Sequence, residues 1–184
     1  KLYFSIPQYD VSAKILLSDK EKGSFSSQAD MLADFGYRGA KSSLENEMEV
    51  MKSFSVARGA VYSSGVYISY KKLGIKDMPI YKKASPVNVS ATPDVLAKMV
   101  SPIKMYFLFE GSNSVKGRCE YIEENPEVYT NIDSFPYKLT TPVGDVLVED
   151  MRPKMNVAAE SLQGEYLVTI NKPEATARGY MSRI

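Results

Sequence analysis

The sequence predicts an α+β fold, with short helices and a small, mainly antiparallel sheet joined by long extended connections. Three observations lead there. Apolar residues recur at intervals of three and four through the first third of the chain, as on one face of a helix. The second half looks more β-like, with short strand-sized runs between breakers. Pro79, Pro86, Pro93, Pro126, Pro136 and Pro142 break the chain between such runs.

Residues 2–6 read as a strand ended by Pro7, and Asp10 can cap a helix bearing Val11, Ile15 and Leu16 on one face. A second helix starts at Ser26 or Ser27, carries Met31, Leu32 and Phe35, and stops at Gly36. Ser42 and Glu45 form a capping box, behind which Leu44, Met48, Met51 and Phe54 predict a helix over 43–57. Residues 60–73 admit two readings. Alternation of Val66, Ile68 and Tyr70 suits a strand, whereas continuation after Gly59 suits a helix. Thr92 and Pro93 open a helix running to about Val100. Strands are expected at 104–110, 118–123, 143–149 and 165–170, with a short helix over 156–163 and a turn of helix at Pro173. The expected organisation is a mostly helical part (1–73), an extended proline-containing connector (74–92), an α+β part (93–170) and a C-terminal tail (171–184).

Composition narrows the function. A net charge of +1 argues against a general attraction to nucleic acid or acidic membranes and leaves only local patches. No apolar run approaches the roughly 20 residues of a membrane span. One cysteine, Cys119, makes no internal disulfide, which favours a reducing, intracellular setting. The chain opens on Lys1 rather than Met and reads as a processed or trimmed product. Histidine, the usual general base and metal ligand near neutral pH, is absent altogether, which tilts the reading away from catalysis. The 13 tyrosines and 9 methionines supply adaptable contact residues, or equally an ordinary core.

Motif searches agree. "GSNSVKGR" at 111–118 lacks the Gly-Lys-Ser/Thr order of a phosphate loop and reads as a hairpin turn. Glu45, Glu47 and Glu49, and Glu120, Glu123, Glu124 and Glu127, read as solvated charged faces rather than as a catalytic pair. "YISYKKLGIKDMPIYKK" at 67–83 interleaves tyrosine with lysine, a pattern that suits base stacking or an acidic protein surface. Cys119 follows Arg118. A neighbouring arginine can make a thiol reactive, and a small apolar residue within a strand is the other reading.

An Arg-Gly pair occurs three times, in "YRGA" at 37–40, "ARGA" at 57–60 and "ARGY" at 177–180. Each glycine falls where a helix is expected to end or turn, so the arginine beside it would present a planar fork to a neighbour. Tyr37, Arg38, Arg58, Arg178 and Tyr180 are therefore the expected partner-binding residues; routine helix caps with solvated arginines are the alternative. The stretches "YRGAKSSLENE" and "ARGY", with long extended segments between short helices, resemble red-algal phycobilisome linkers of the gamma rod type, over less than a fifth of the chain. The resemblance implies a non-enzymatic subunit that holds pigment proteins together in a large plastid assembly. It also implies covalent bilin attachment, for which Cys119 is the sole candidate; several cysteines would be expected of a fully pigmented member. The expected partners are protein subunits of a large complex, not nucleic acid. The alternative is a small-molecule carrier with a pocket formed by the β-sheet.

Overall fold

In a computed structural model, residues 48–111, 114–122 and 129–182 are described. The strand at 2–6, the helices begun at Asp10 and Ser26 or Ser27, the capping box, Tyr37 and Arg38 lie outside the described residues. So do Glu123, Glu124 and Glu127.

The α+β class is borne out. Among the described residues nine strands form two antiparallel sheets: β1 (Ile68–Lys72), β2 (Met78–Ile80), β3 (Val87–Ala91), β4 (Ile103–Glu110), β5 (Ser114–Glu120), β6 (Thr130–Asn131), β7 (Tyr137–Thr141), β8 (Gly144–Asp150) and β9 (Gly164–Ile170). Sheet A has the order β2-β1-β9-β4-β5-β6 and sheet B the order β3-β8-β7. Alternation explains how they stack. Ile103, Met105, Phe107 and Phe109 of β4 are buried while the residues between them are not, and β9 repeats the pattern with Tyr166, Val168 and Ile170. Val87, Val89, Leu139, Val146 and Val148 of sheet B join them in one core, so the sheets pack face to face. Cross-strand register sets Met105 beside Val168 and Phe107 beside Tyr166. Gly117 stands opposite Phe107 because that inner position has no room: a Cβ there would lie 3.0 Å from the Ile132 side chain.

Among the described residues, three helices besides the helical residues 48–51 complete the fold. In α1 (Phe54–Ser64) the Ser53 hydroxyl accepts a hydrogen bond from the Val56 amide, and Gly65 ends the helix in left-handed backbone at φ 69°. In α2 (Pro93–Lys98) Thr92 caps, Pro93 occupies the first turn, and Val95, Leu96 and the following Met99 are buried in the core. The last helix, α3 (Pro173–Met181), follows β9.

Three expectations are corrected, and one left open is resolved. The helix expected over 43–57 is interrupted: residues 48–51 are helical, Ser53 turns to extended backbone, and a new helix starts at Phe54. The cap at Ser53 overrides the apolar spacing across it. The ambiguous stretch 60–73 is both things in turn, the end of α1 and then β1. Residues 74–92 are not an extended connector, for they hold β2, a 3-10 turn at Lys82–Ala84 and β3. Their prolines mark element boundaries or an edge: Pro79 lies on edge strand β2 and Pro86 precedes β3. The C-terminal stretch is a nine-residue helix rather than a turn and a tail.

Candidate functional site

Two of the expected docking residues come together, though not as corners. β1 and β9 are antiparallel neighbours with Ile68 opposite Ile170, so α1 enters and α3 leaves the sheet at the same end. The Asn171 amide donates to the Tyr67 carbonyl at 2.8 Å and fixes that junction. Side by side, the helices bury Val61, Pro173 and Ala177. Arg58 reaches from α1 to the Glu174 carboxylate of α3, with Nε at 3.4 Å, and Arg178 reaches back from α3 to within 5.7 Å of the Phe54 ring centroid. The Tyr62 hydroxyl also donates to Glu174, at 3.1 Å. Burial pushes the Glu174 carboxyl up, but its own backbone amide, Tyr62 and Arg58 outweigh this and hold it below the usual carboxylate value. Gly59 and Gly179 lie inside α1 and α3, so the expectation that these glycines mark helix ends is overturned. The true helix cap is Gly65. Both arginines spend their reach on the partner helix, and Tyr180 remains exposed near the end of α3.

A denser array, which the sequence reading did not select, lies on the outer face of sheet A. The residues of β4, β5 and β9 that alternate with the core point there, and register aligns them: Tyr106 opposite Arg118, Lys104 opposite Glu120, and Leu108 between Lys116 and Glu165. The Arg118 guanidinium carbon lies 3.8 Å from the Tyr106 ring centroid and 5.3 Å from that of Tyr129. Lys104 Nζ donates to Glu120 Oε1 at 2.7 Å, and the Tyr106 hydroxyl donates to Glu120 Oε2 at 3.0 Å. At the other side the Tyr129 hydroxyl donates to Glu165. One connected chain thus runs Lys104–Glu120–Tyr106–Arg118–Tyr129–Glu165 across the face.

Its electrostatics follow from those contacts. The hydrogen bond from Lys104, helped by that from Tyr106, holds Glu120 below the usual carboxylate value despite burial, and the same bond raises Lys104. Burial, then the carboxylate partner, raises both Tyr106 and Tyr129. For Arg118 burial opposes the charge, but Tyr129, Tyr106 and Glu165 more than offset it. These shifts favour the ionised form of Glu120 and the protonated forms of Tyr106 and Tyr129. The outward residues Lys104, Tyr106, Leu108, Lys116, Arg118, Glu165 and Leu167 are all half-buried, none fully.

Cys119 lies on β5 next to Arg118 in sequence, yet strand alternation turns it to the opposite face, where it packs half-buried against the core. That favours the packing reading of the thiol over activation by Arg118. The 111–118 stretch is not all turn: residues 114–118 belong to β5, which pairs antiparallel with β4, so the strand expected at 118–123 is Ser114–Glu120 instead. Among the described residues no group of three or more His, Cys, Asp or Glu stands together to hold a metal ion. No helix among them is long and apolar enough to cross a membrane. No family model matches the chain, and neither a curated protein nor a solved structure does.

Proposed function

We propose that the chain is a non-enzymatic structural subunit that holds other proteins together in a large assembly, with the outer face of sheet A as its main docking surface. The observation that carries this is the Tyr106–Arg118–Tyr129 stack, tied at both ends by Glu120 and Glu165. Tyrosine and arginine are, with tryptophan, enriched among the energetic anchors of interfaces. Here their rotamers are already held on a rigid sheet, so a partner would lose little side-chain freedom on docking. A phycobilisome linker of the plastid is the specific form of this reading, and it rests on the sequence resemblance alone. The inward, core-packed position of Cys119 lends no support to a bilin attached there. The carrier alternative draws no support either, because Met99, Ile103, Met105, Phe107 and the valines of sheet B fill the space between the sheets.

The test is size-exclusion chromatography of the tagged protein isolated from its native source, with absorbance spectra recorded across the peak. The expected result is elution far above 20.5 kDa, with Arg118→Ala shifted toward the free chain while its circular dichroism is unchanged. Visible colour in the large peak supports the phycobilisome form, and a large colourless peak counts against it. A wild-type monomer near 20.5 kDa overturns the proposal.

A further inference from the structure

Bordering the outer face of sheet A, where Lys71 pairs with Leu167, the rim at β2 concentrates positive charge in a chain of net charge +1. Residues 71–83 hold five lysines, no arginine and one acidic residue, Asp77. Lys72 is committed to the fold: its Nζ donates to the Ser161 carbonyl at 3.0 Å and sits 5.4 Å from the Tyr166 ring centroid. Lys71, Lys76, Lys82 and Lys83 are exposed and form no ion pair among the described residues. Three large apolar side chains stand among them. Ile75, in the β1–β2 turn, is fully exposed at 108%, with Met78 at 55% and Tyr81 at 74%.

Register shows that this is one rim. β1 and β2 pair with Lys72 opposite Met78 and Tyr70 opposite Ile80, and among the described residues no strand lies beyond β2. The turn 73–77 and the segment 78–83 therefore line the outer edge of the sheet. The Leu73 amide donates to the Glu165 carbonyl at 2.8 Å, which ties the base of the turn to β9.

We propose that this rim is a contact for an anionic lipid bilayer, with Ile75, Met78 and Tyr81 entering the interfacial layer and Lys71, Lys76, Lys82 and Lys83 meeting the headgroup phosphates. Three observations favour a bilayer over a macromolecular partner. Protein interfaces are depleted in lysine and enriched in arginine, and this rim has lysine alone. A fully exposed isoleucine on a convex turn presents little area to a rigid protein, but it suits a fluid apolar layer beneath a charged surface. A nucleic-acid stacking platform is not formed, since Tyr70 is buried and Tyr67 half-buried, which leaves Tyr81 as the one exposed ring of the 67–83 stretch. The contact is peripheral; it borders the docking face at Lys71, but its evidence is separate from that of the assembly role proposed above.

The experiment uses the full chain with Ile75→Trp, which becomes the sole tryptophan, and vesicles of phosphatidylcholine with or without about 30% phosphatidylglycerol. The expected result is cosedimentation with the anionic vesicles only, a blue shift of the tryptophan emission, and release by high salt. The K76E/K82E/K83E variant should lower partitioning roughly a hundredfold or more, and Ile75→Ser roughly tenfold. Lys138→Glu, on the outer surface of sheet B, should change it little. Equal partitioning to neutral and anionic vesicles overturns the proposal, as does tryptophan emission that stays at its aqueous wavelength. Binding of polyglutamate or single-stranded DNA in place of anionic vesicles, lost in the same triple variant, also overturns it and assigns the rim to an acidic macromolecule.

Discussion

Replacing Arg118 by alanine removes the centre of the outer-face array while leaving the core-facing side of β5 untouched. The guanidinium carbon stands 3.8 Å from one tyrosine centroid and 5.3 Å from the other. A cation over an aromatic face contributes about 0.5–1 kcal/mol when exposed and about 2 when desolvated. Arg118 is half-buried, and its closer ring carries most of the effect, so Arg118→Ala should cost about 1–2 kcal/mol of stability. For a chain of this size that lowers Tm by about 2–8 °C. The pairwise term is isolated by a double-mutant cycle with Tyr106→Leu, which removes the ring face but keeps an apolar side chain. Its coupling should be about 0.5–1 kcal/mol. Arg118→Lys keeps the charge but loses the flat stacking surface, and it should recover less than half of the loss. The assay is urea unfolding followed by far-ultraviolet circular dichroism. Coupling within about 0.3 kcal/mol of zero would show that the stack is a coincidence of exposed side chains. It would also remove the pre-ordering argument for a docking face.

Gly144→Ala should destabilise by about 1–3 kcal/mol, read as a lower urea midpoint, because the residue has φ 129° and a Cβ there would lie 2.8 Å from the Val95 side chain. Stability should be flat through neutral pH and fall on both sides. Glu120 and Glu174 are depressed in the fold, so their contribution is complete above the ordinary carboxylate range and is lost as pH falls through their lowered values. Lys104, Tyr106 and Tyr129 are raised, so theirs is complete below about pH 10 and is lost as pH climbs through their folded values; urea midpoints across the pH range check both arms. Cys119 should react with a thiol-selective disulfide reagent at least about tenfold more slowly in the folded chain than in urea, and equal rates would contradict its packing. Gly59→Ala and Gly179→Ala should each raise stability, by about 0.5–1 kcal/mol at most, which thermal melts can resolve.

Much of the fold was legible because the relevant signals are local. In β4 the run Ile103-Lys104-Met105-Tyr106-Phe107-Leu108-Phe109-Glu110 is a strand-length apolar stretch bounded by breakers, and the structure buries its alternate residues from Ile103 to Phe109. β9 reads as clearly. β3 and β7 were missed for opposite reasons. Pro86 and Pro93 flank β3 and read as irregular chain, while Tyr137–Thr141 is too short to show a period against its proline neighbours. The outer-face array was half legible. Alternation along β4 and β5 separates their two faces, but which residues meet across strands depends on register, and register depends on where the turn sits. With the turn between Glu110 and Ser114, counting back and forward from those residues sets Tyr106 against Arg118 and Lys104 against Glu120. The sequence reading of "GSNSVKGR" as turn throughout starts the next strand at 118, whereas β5 begins at Ser114, and without that boundary the pairing does not follow. Tyr129 and Glu165 reach the array only through tertiary folding, and no local signal marks them.

The Arg-Gly pairs show how one motif acquires different meanings from its backbone. As corners, they would need glycine for its left-handed freedom, and an added methyl group would strain each bend. In the structure Gly59 and Gly179 have helical neighbours on both sides, and a Cβ at either meets no described atom within 4 Å. Nothing described there requires glycine, which is why alanine should stabilise rather than disrupt. The arginines have become staples: Arg58 to Glu174 and Arg178 to Phe54 cross the α1–α3 pair in opposite directions. Exposed contacts of this kind contribute about 0–1 kcal/mol each. Burial of Val61, Pro173 and Ala177 therefore holds the pair together, and the arginines orient it. If the alanine variants instead lost stability, the helical placement of both glycines would fail, and the docking-corner reading of Arg58, Arg178 and Tyr180 would return. If they gain it, an interface search belongs on the sheet, where tyrosine and arginine are already stacked before a partner arrives.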